Sequence, residues 1–217
     1  MIVDERMASF INSYAAPLPK YLDKLEQYSI ETNVPIIRKE MQSLMAFLLA
    51  MNRPVNILEV GTAIGFSALF MKENISSDAH ITTIEKYEKR IPIAKDNFLK
   101  YDENDQITLL EGDAAKILKN LSGTYDFIFM DAAKGQYINF MPELMRLLAP
   151  EGILLSDNVM QDGDILESRY AVERRNRTIY ARMRDYLYEL THNALLTTVI
   201  LPVGDGVTIS VKHETEK

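Results

Sequence analysis

The chain contains no cysteine. Disulfides, thiolate zinc sites, iron–sulfur clusters and a cysteine nucleophile are thereby excluded, and the composition fits a reducing compartment. Long apolar runs are also missing. The longest is Leu44 to Met51, eight residues, against the ~20 that span a bilayer. The opening MIVDERMASF carries charges at residues 4 to 6 and no apolar core, so no signal peptide is expected. The expectation is a cytoplasmic protein without a membrane partner. Positive charge is not in excess. Against 24 Lys and Arg stand 31 Asp and Glu, a net charge of −7. The overall field therefore does not draw in nucleic acid, although a local basic patch stays open. Internal repeats and low-complexity segments are absent too.

What is present is ordinary globular composition, with 47% hydrophobic and 25% charged residues in 217. That length suits one domain, residues 1–217, able to bury about 70% of its unfolded surface without staples. Residues 1–52 read as helices, a lid and dimer region. Phe10, Ile11 and Tyr14 form one apolar face; Tyr21, Leu22, Leu25 and Tyr28 a second; Met41, Leu44, Met45, Leu48 and Leu49 a third. Pro54 marks a boundary. In residues 53–217, short apolar runs (57–60, 81–84, 107–110, 127–130, 153–156, 195–201 and 207–211) alternate with helix-length segments (66–74, 87–101, 114–121, 136–148 and 172–193). This pattern predicts an α/β, Rossmann-like fold: a seven-stranded, mostly parallel sheet with helices on both faces. The last two runs are joined through only Pro202 to Gly206, too short for a parallel crossover, so the terminal strand is antiparallel. Ligands on such sheets sit beyond the carboxyl ends of the strands.

The first strand end, Ile57-Leu58-Glu59-Val60-Gly61-Thr62-Ala63-Ile64-Gly65-Phe66-Ser67, is a strand, a glycine turn and a helix start. Its spacing is G-x-x-x-G, not the dinucleotide G-x-G-x-x-G. Glu59 before the turn would repel phosphate and suits a cation or an amine. The second strand ends in Glu85, placed to take both ribose hydroxyls. The third ends in Glu111-Gly112-Asp113-Ala114, where Asp113 caps a helix or meets an adenine edge. Singly, these are also ordinary turn, surface and cap residues. Together they describe a positively charged nucleoside without phosphates, S-adenosylmethionine (SAM).

The fourth run ends in Asp131-Ala132-Ala133-Lys134 and the fifth in Ser156-Asp157-Asn158. Neighbouring strand ends lie ~5 Å apart, so Asp131, Asp157 and Asn158 can converge. Two carboxylates and an amide suit a hard cation with open positions: Mg²⁺, or Mn²⁺ or Ca²⁺. His80, His192 and His213 are scattered and read as structural or surface residues. A lysine beside such a cation, Lys134, can serve as general base.

These motifs, E-V-G-T-A-I-G-F-S (59–67), I-E (84–85), G-D-A (112–114), F-M-D-A-A-K (129–134), S-D-N-V (156–159) and L-P-V-G-D-G-V-T-I (201–209), resemble the cation-dependent O-methyltransferases of the catechol and caffeoyl-CoA type, from about Val34 to Val211. The resemblance implies a class I methyltransferase fold. It implies that Glu59, Gly61, Ser67, Glu85, Gly112, Asp113, Ala114 and Asp131 line the SAM site, with Val34 and Ile36 contributing from a lid over 34–42. It implies Asp131, Asp157 and Asn158 as metal ligands, and Lys134 with Asp131 as catalytic residues. By analogy with bacterial members a homodimer is expected. Plant caffeoyl-CoA enzymes carry a longer, aromatic-rich insertion after the metal asparagine; here the segment Val159 to Leu166 has no aromatic. Among bacterial members the chain is most similar to the tRNA 5-hydroxyuridine methyltransferases, which implies the tRNA anticodon loop as partner. Six arginines (169, 174, 175, 177, 182 and 184) against three acids within 167–186 form a local basic cluster, and Tyr137, Tyr170 and Tyr180 are candidates to stack on a base. A small-molecule catechol methyltransferase and a non-catalytic SAM-binding module are the alternatives.

Overall fold

The computed structural model describes residues 3–214 of the chain. Three helices lead: α1 (Glu5–Asn12), α2 (Lys20–Thr32) and α3 (Lys39–Asn52). Strands and helices then alternate as β1 (Asn56–Val60), α4 (Phe66–Lys72), β2 (His80–Glu85), α5 (Ile91–Tyr101), β3 (Ile107–Glu111), α6 (Ala114–Asn120), β4 (Tyr125–Met130), α7 (Tyr137–Leu147), β5 (Leu148–Ser156), α8 (Arg177–His192), β6 (Leu196–Leu201) and β7 (Val207–Lys212). The strands form one sheet in the order β3-β2-β1-β4-β5-β7-β6, with β7 antiparallel to both neighbours. This is the expected seven-stranded methyltransferase sheet. Among the described residues, no helix is long and apolar enough to cross a membrane.

The period of two along each strand builds two cores. Ile57, Ile81, Ile107, Phe127, Phe129, Ile153 and Leu155 face one side and pack with α2, α3, α4 and α5. Leu58, Val60, Ile84, Ile128, Met130 and Leu154 face the other and pack with α6, α7 and α8. Both faces of the sheet are covered, which is why its strands read as apolar runs rather than alternating ones. Glu59 shares a face with Ile57 and is fully buried among helices.

Helix starts follow local chemistry. Helix α5 begins at Ile91, later than the expected Tyr87, because Pro92 stands in its first turn, where a missing N–H costs nothing. Helix α2 stops at Asn33, which adopts φ 53, while the Val34 N–H closes onto the Ser29 carbonyl at 2.9 Å. The chain then runs extended through Pro35 to Arg38, along the carboxyl edge of the sheet. The expected apolar face of Phe10, Ile11 and Tyr14 stays outside both cores, at 64, 50 and 76% exposed. Helix α1 has only eight residues and lies over α3, and among the described residues these three side chains are left largely uncovered.

Strand β1 pairs with β2 on one side and β4 on the other. The chain builds outward to β3, then returns across β1 to build β4 and β5. The crevice opened by that reversal lies at the carboxyl ends of β1 and β4.

Candidate active site

The main-chain ladder runs one step past each strand. Gly61 N–H reaches the Ile84 carbonyl (3.0 Å), Gly112 N–H that of Glu85 (2.8 Å), Asp131 N–H that of Val60 (3.0 Å) and Asp157 N–H that of Met130 (3.0 Å). Four strand-end residues are thereby fixed along one edge. They border a cavity of about 860 Å³ whose wall includes Ile36, Gly61, Ser67, Glu85, Gly112, Asp113, Ala114, Asp131, Lys134, Asp157 and Asn158. Gly61 has φ 111, and a Cβ there would collide with the Asp131 carbonyl. Close approach of the turn after β1 to the end of β4 therefore requires glycine.

Two expected donor-site residues stand back from this wall. Val34 packs on the adjoining core while its neighbours Pro35 and Ile36 border the cavity. Glu59 lies beneath the glycine turn, its carboxylate accepting from the hydroxyls of Ser67 and Thr83; Thr83 in turn pairs with Thr62. Burial pushes the Glu59 carboxyl up to about 7, against the pull of those two hydroxyls. Glu85 is on the wall, but its Oε1 accepts the N–H groups of Lys86 (2.9 Å) and Tyr87 (2.8 Å), and Oε2 that of Ala63 (2.8 Å). Three of roughly four acceptor sites on the carboxylate are in use, leaving Oε2 the place for one further donor. Asp113 caps α6 through its Oδ1 on Ala115 N–H (2.8 Å) and also borders the cavity. The two readings of this residue are compatible.

At the other end of the crevice the ammonium of Lys134 is held by oxygens. Its Nζ donates to Asn158 Oδ1 (2.7 Å), Asp131 Oδ1 (3.1 Å) and the Asp157 carbonyl (3.5 Å). Tyr137 lies below, fully buried, its hydroxyl within 3.3 Å of Lys134 Nζ. Asp157 is 4% exposed and its Oδ1 accepts the Asn158 N–H (2.7 Å). Burial and the nearby Asp131 carboxylate push Asp157 up to about 7, while Lys134 pulls it down. Asn158 sits at φ 53, a conformation that asparagine tolerates better than most residues and that turns its side chain back toward β4. Among the described residues no group of three or more His, Cys, Asp and Glu is placed to hold a metal ion. The oxygens around the Lys134 ammonium are one carboxylate, one carboxamide and one main-chain carbonyl, with the Asp157 carboxylate beside them on the same cavity wall. All-oxygen donors around a cation fit a hard dication.

The cavity wall also contains residues not expected from the sequence: Phe140, Gln161, Asp162, Asn176, Ile179 and Asp205. Asp205 lies within the L-P-V-G-D-G-V-T-I segment, where it was expected only as part of a hairpin connection. In the fold it is 7% exposed and its Oδ1 accepts the Asp162 N–H (2.7 Å). Burial raises its pKa, opposed by that hydrogen bond and by the charges of Arg38 and Lys134. Two expected stacking residues are displaced. Tyr137 is fully buried and Tyr180 is 7% exposed, with its hydroxyl on the Glu167 carbonyl; Tyr170 is the exposed one, at 88%. The arginines divide as well. Arg177, Arg182 and Arg184 donate to main-chain carbonyls and Arg175 pairs with Glu173, while Arg169 and Arg174 are exposed.

Comparison with known proteins decides the class. Residues 12–213 match the family model described as O-methyltransferase. The chain belongs to this O-methyltransferase family. It is 30% identical to caffeoyl-CoA O-methyltransferase 2 of Populus trichocarpa, covering 86% of this chain and 87% of that one. A candidate caffeoyl-CoA O-methyltransferase of Staphylococcus aureus superposes with a TM-score of 0.88 at 32% identity, over 96% of this chain and 100% of that one. The Podospora anserina methyltransferase PaMTH1, solved with S-adenosylhomocysteine (SAH) bound, superposes with a TM-score of 0.86 at 27% identity, over 97 and 95% of the two chains. The crevice described above is therefore the place to look for this O-methyltransferase's chemistry.

Proposed function

We propose that the protein transfers a methyl group from SAM to a hydroxyl that has a second oxygen beside it, with a divalent cation, and that its substrate is 5-hydroxyuridine at the tRNA wobble position, giving 5-methoxyuridine. The observation that carries the reading is the Lys134 ammonium enclosed by Asp131, Asn158 and the Asp157 carbonyl, one crevice away from the Gly61 turn. The SAH complex of PaMTH1 supports SAM as donor. Asp131, Asp157 and Asn158 would hold the cation, which when bound lowers the pKa of a coordinated hydroxyl as a Lewis acid. The hydroxyl proton passes to Lys134, which must be the neutral amine at that step. Gly61, Gly112 and Ala114 leave room for the donor's backbone and base, and Glu85 offers its free acceptor site to a hydroxyl. Holding donor and acceptor in line would supply much of the barrier reduction. The hydroxyl and O4 of a 5-hydroxyuracil form a vicinal oxygen pair, as a catechol's hydroxyls do. The exposed Arg169 and Arg174 are available to backbone phosphates.

A catechol-type small molecule is the second reading. It is favoured by the internal engagement of Arg177, Arg182 and Arg184 and by the caffeoyl-CoA enzymes among the relatives. Incubation with SAM, Mg²⁺ and tRNA bearing 5-hydroxyuridine, followed by nucleoside mass spectrometry, separates the two. Appearance of 5-methoxyuridine supports the first; its absence alongside methylated catechol supports the second.

A further inference from the structure

A ring presented to the cation-binding oxygens by two of its own oxygens still has a free edge, and the structure places one unusual group on the acceptor side. Among the described residues, four buried side-chain atoms have no hydrogen-bond partner: Asn12 Oδ1, Asn52 Oδ1, Gln161 Oε1 and Thr208 Oγ1. Of these four residues only Gln161 belongs to the cavity wall. It lines that cavity together with Asp131, Asp157 and Asn158. A buried acceptor without a donor is unfavourable in the free protein, so a turn of this part-buried carboxamide into the cavity, where a ligand supplies the donor, recovers that cost.

The backbone around Gln161 adds a second, independent observation. Gln161, Asp162 and Gly163 all have left-handed backbone, with φ 51, 53 and 97. Two successive non-glycine residues, Gln161 and Asp162, in this region persist only where their surroundings enforce it, and such strain is commonest at functional sites. Here the β6–β7 loop enforces it. Asp205 Oδ1 accepts the Asp162 N–H (2.7 Å), the Asp205 carbonyl accepts the Met160 N–H (3.0 Å), and the Gly206 carbonyl accepts the Val159 N–H (2.9 Å). The turn is thus built to hold Gln161 where it is.

A carboxamide offers one acceptor and two donors. It matches a ring edge in which N–H adjoins C=O, the imide edge of a uracil. At the same place a catechol has C–H. Resting on the substrate reading above, we infer that Gln161 is a specificity-determining residue whose carboxamide pairs with the imide edge of a 5-hydroxyuracil.

The test uses the full chain with SAM and Mg²⁺, comparing wild type with Gln161→Met, which is near in shape and cannot make the pair. The acceptors are an RNA stem–loop with 5-hydroxyuridine in the loop, the same RNA with N3-methyl-5-hydroxyuridine, and 3,4-dihydroxybenzoate. Wild-type kcat/KM is expected to fall roughly 10- to 100-fold on the N3-methylated RNA, the worth of one lost hydrogen bond with a buried group left unpaired. Gln161→Met loses the same factor on the unmodified RNA and nothing further on the N3-methylated one, while the donor Kd and any dihydroxybenzoate turnover stay within threefold. A variant equal to wild type on the unmodified RNA, or one that loses the same factor on every acceptor, overturns the inference. The N3-methyl arm needs no variant: wild-type enzyme that ignores this methyl group also overturns it. The substrate reading fails separately, when wild type methylates dihydroxybenzoate and leaves the RNA untouched; the inference then falls with it. Methylated RNA with an indifferent Gln161→Met removes the inference alone.

Discussion

Lys134 Nζ lies 2.7 Å from Asn158 Oδ1, although 24 residues and a whole helix–strand unit separate the two. The contact exists because β4 and β5 are neighbours in the sheet and both end at the same edge. It seats a positive group among oxygens that a dication would share on the function proposed above. Replacing Lys134 by methionine is expected to lower kcat by roughly 10²- to 10⁴-fold, the range for a lost general base, with little change in donor Kd. A variant with wild-type kcat would remove Lys134 from the reaction.

Asp157→Ala removes a carboxylate that is 4% exposed at the crevice floor. Methyl transfer is expected to drop about 10³-fold or more, matching the several kcal/mol that a Lewis acid supplies. Chelation of wild type with EDTA should reproduce the loss, and Mg²⁺ should reverse it. Donor binding measured by calorimetry should be nearly unchanged in both cases. Full activity in EDTA would sink the cation's role.

Glu59 links stability to pH. Its folded pKa is raised from 4.5 to about 7 by burial. Between those values the folded chain binds more protons at this site than the unfolded chain, so the contribution of Glu59 to stability falls as pH rises through the window and stays lost above it. Glu59→Gln should flatten that part of the pH–stability curve. At pH 8, without ligand, the variant should be more stable by on the order of 1–3 kcal/mol. Chemical denaturation at pH 5 and pH 8 reads this directly; an unchanged slope would show that the group titrates normally.

Gly61→Ala places a methyl group on the Asp131 carbonyl at a backbone angle, φ 111, that alanine resists. The strands must part or the turn must move. A destabilisation of about 2 kcal/mol or more is expected, accompanied by loss of donor binding. An alanine variant with the parent's denaturation midpoint and donor Kd would contradict the close approach.

Salt separates the two substrate readings. RNA turnover at sub-saturating substrate should fall at least about tenfold between 50 and 200 mM salt, because phosphate contacts release counterions. Arg169→Glu combined with Arg174→Glu should weaken RNA turnover and leave that of a small catechol unchanged. Equal salt dependence for both acceptors would place these arginines outside the binding surface.

Much of the molecule was legible beforehand. The seven strands, the terminal antiparallel strand and the strand-end positions of Gly61, Glu85, Asp113, Asp131, Asp157 and Asn158 follow from apolar runs and the residues that interrupt them, because period and chain order are properties of the sequence alone. Other features required the fold. Tyr137 and Tyr180 were candidates for stacking, but helical phase turned both inward. Phe10, Ile11 and Tyr14 formed an apolar face that α1 keeps outside the core. Glu85 stood at the right strand end, yet only the turn geometry shows three of its acceptor positions already taken by main-chain N–H groups.

The sequence by itself determined which residues end each strand, and with them the family and the oxygen-rich character of the crevice. Only the tertiary structure decided which distant segments meet there: that the Asp205 loop holds the turn carrying Gln161, and that Glu59 is roofed over by the glycine turn. The physical reason is that strand ends are set by local patterning, whereas loop-to-loop contacts are made by whichever segments the sheet order brings together, across gaps as long as the 43 residues between Asp162 and Asp205.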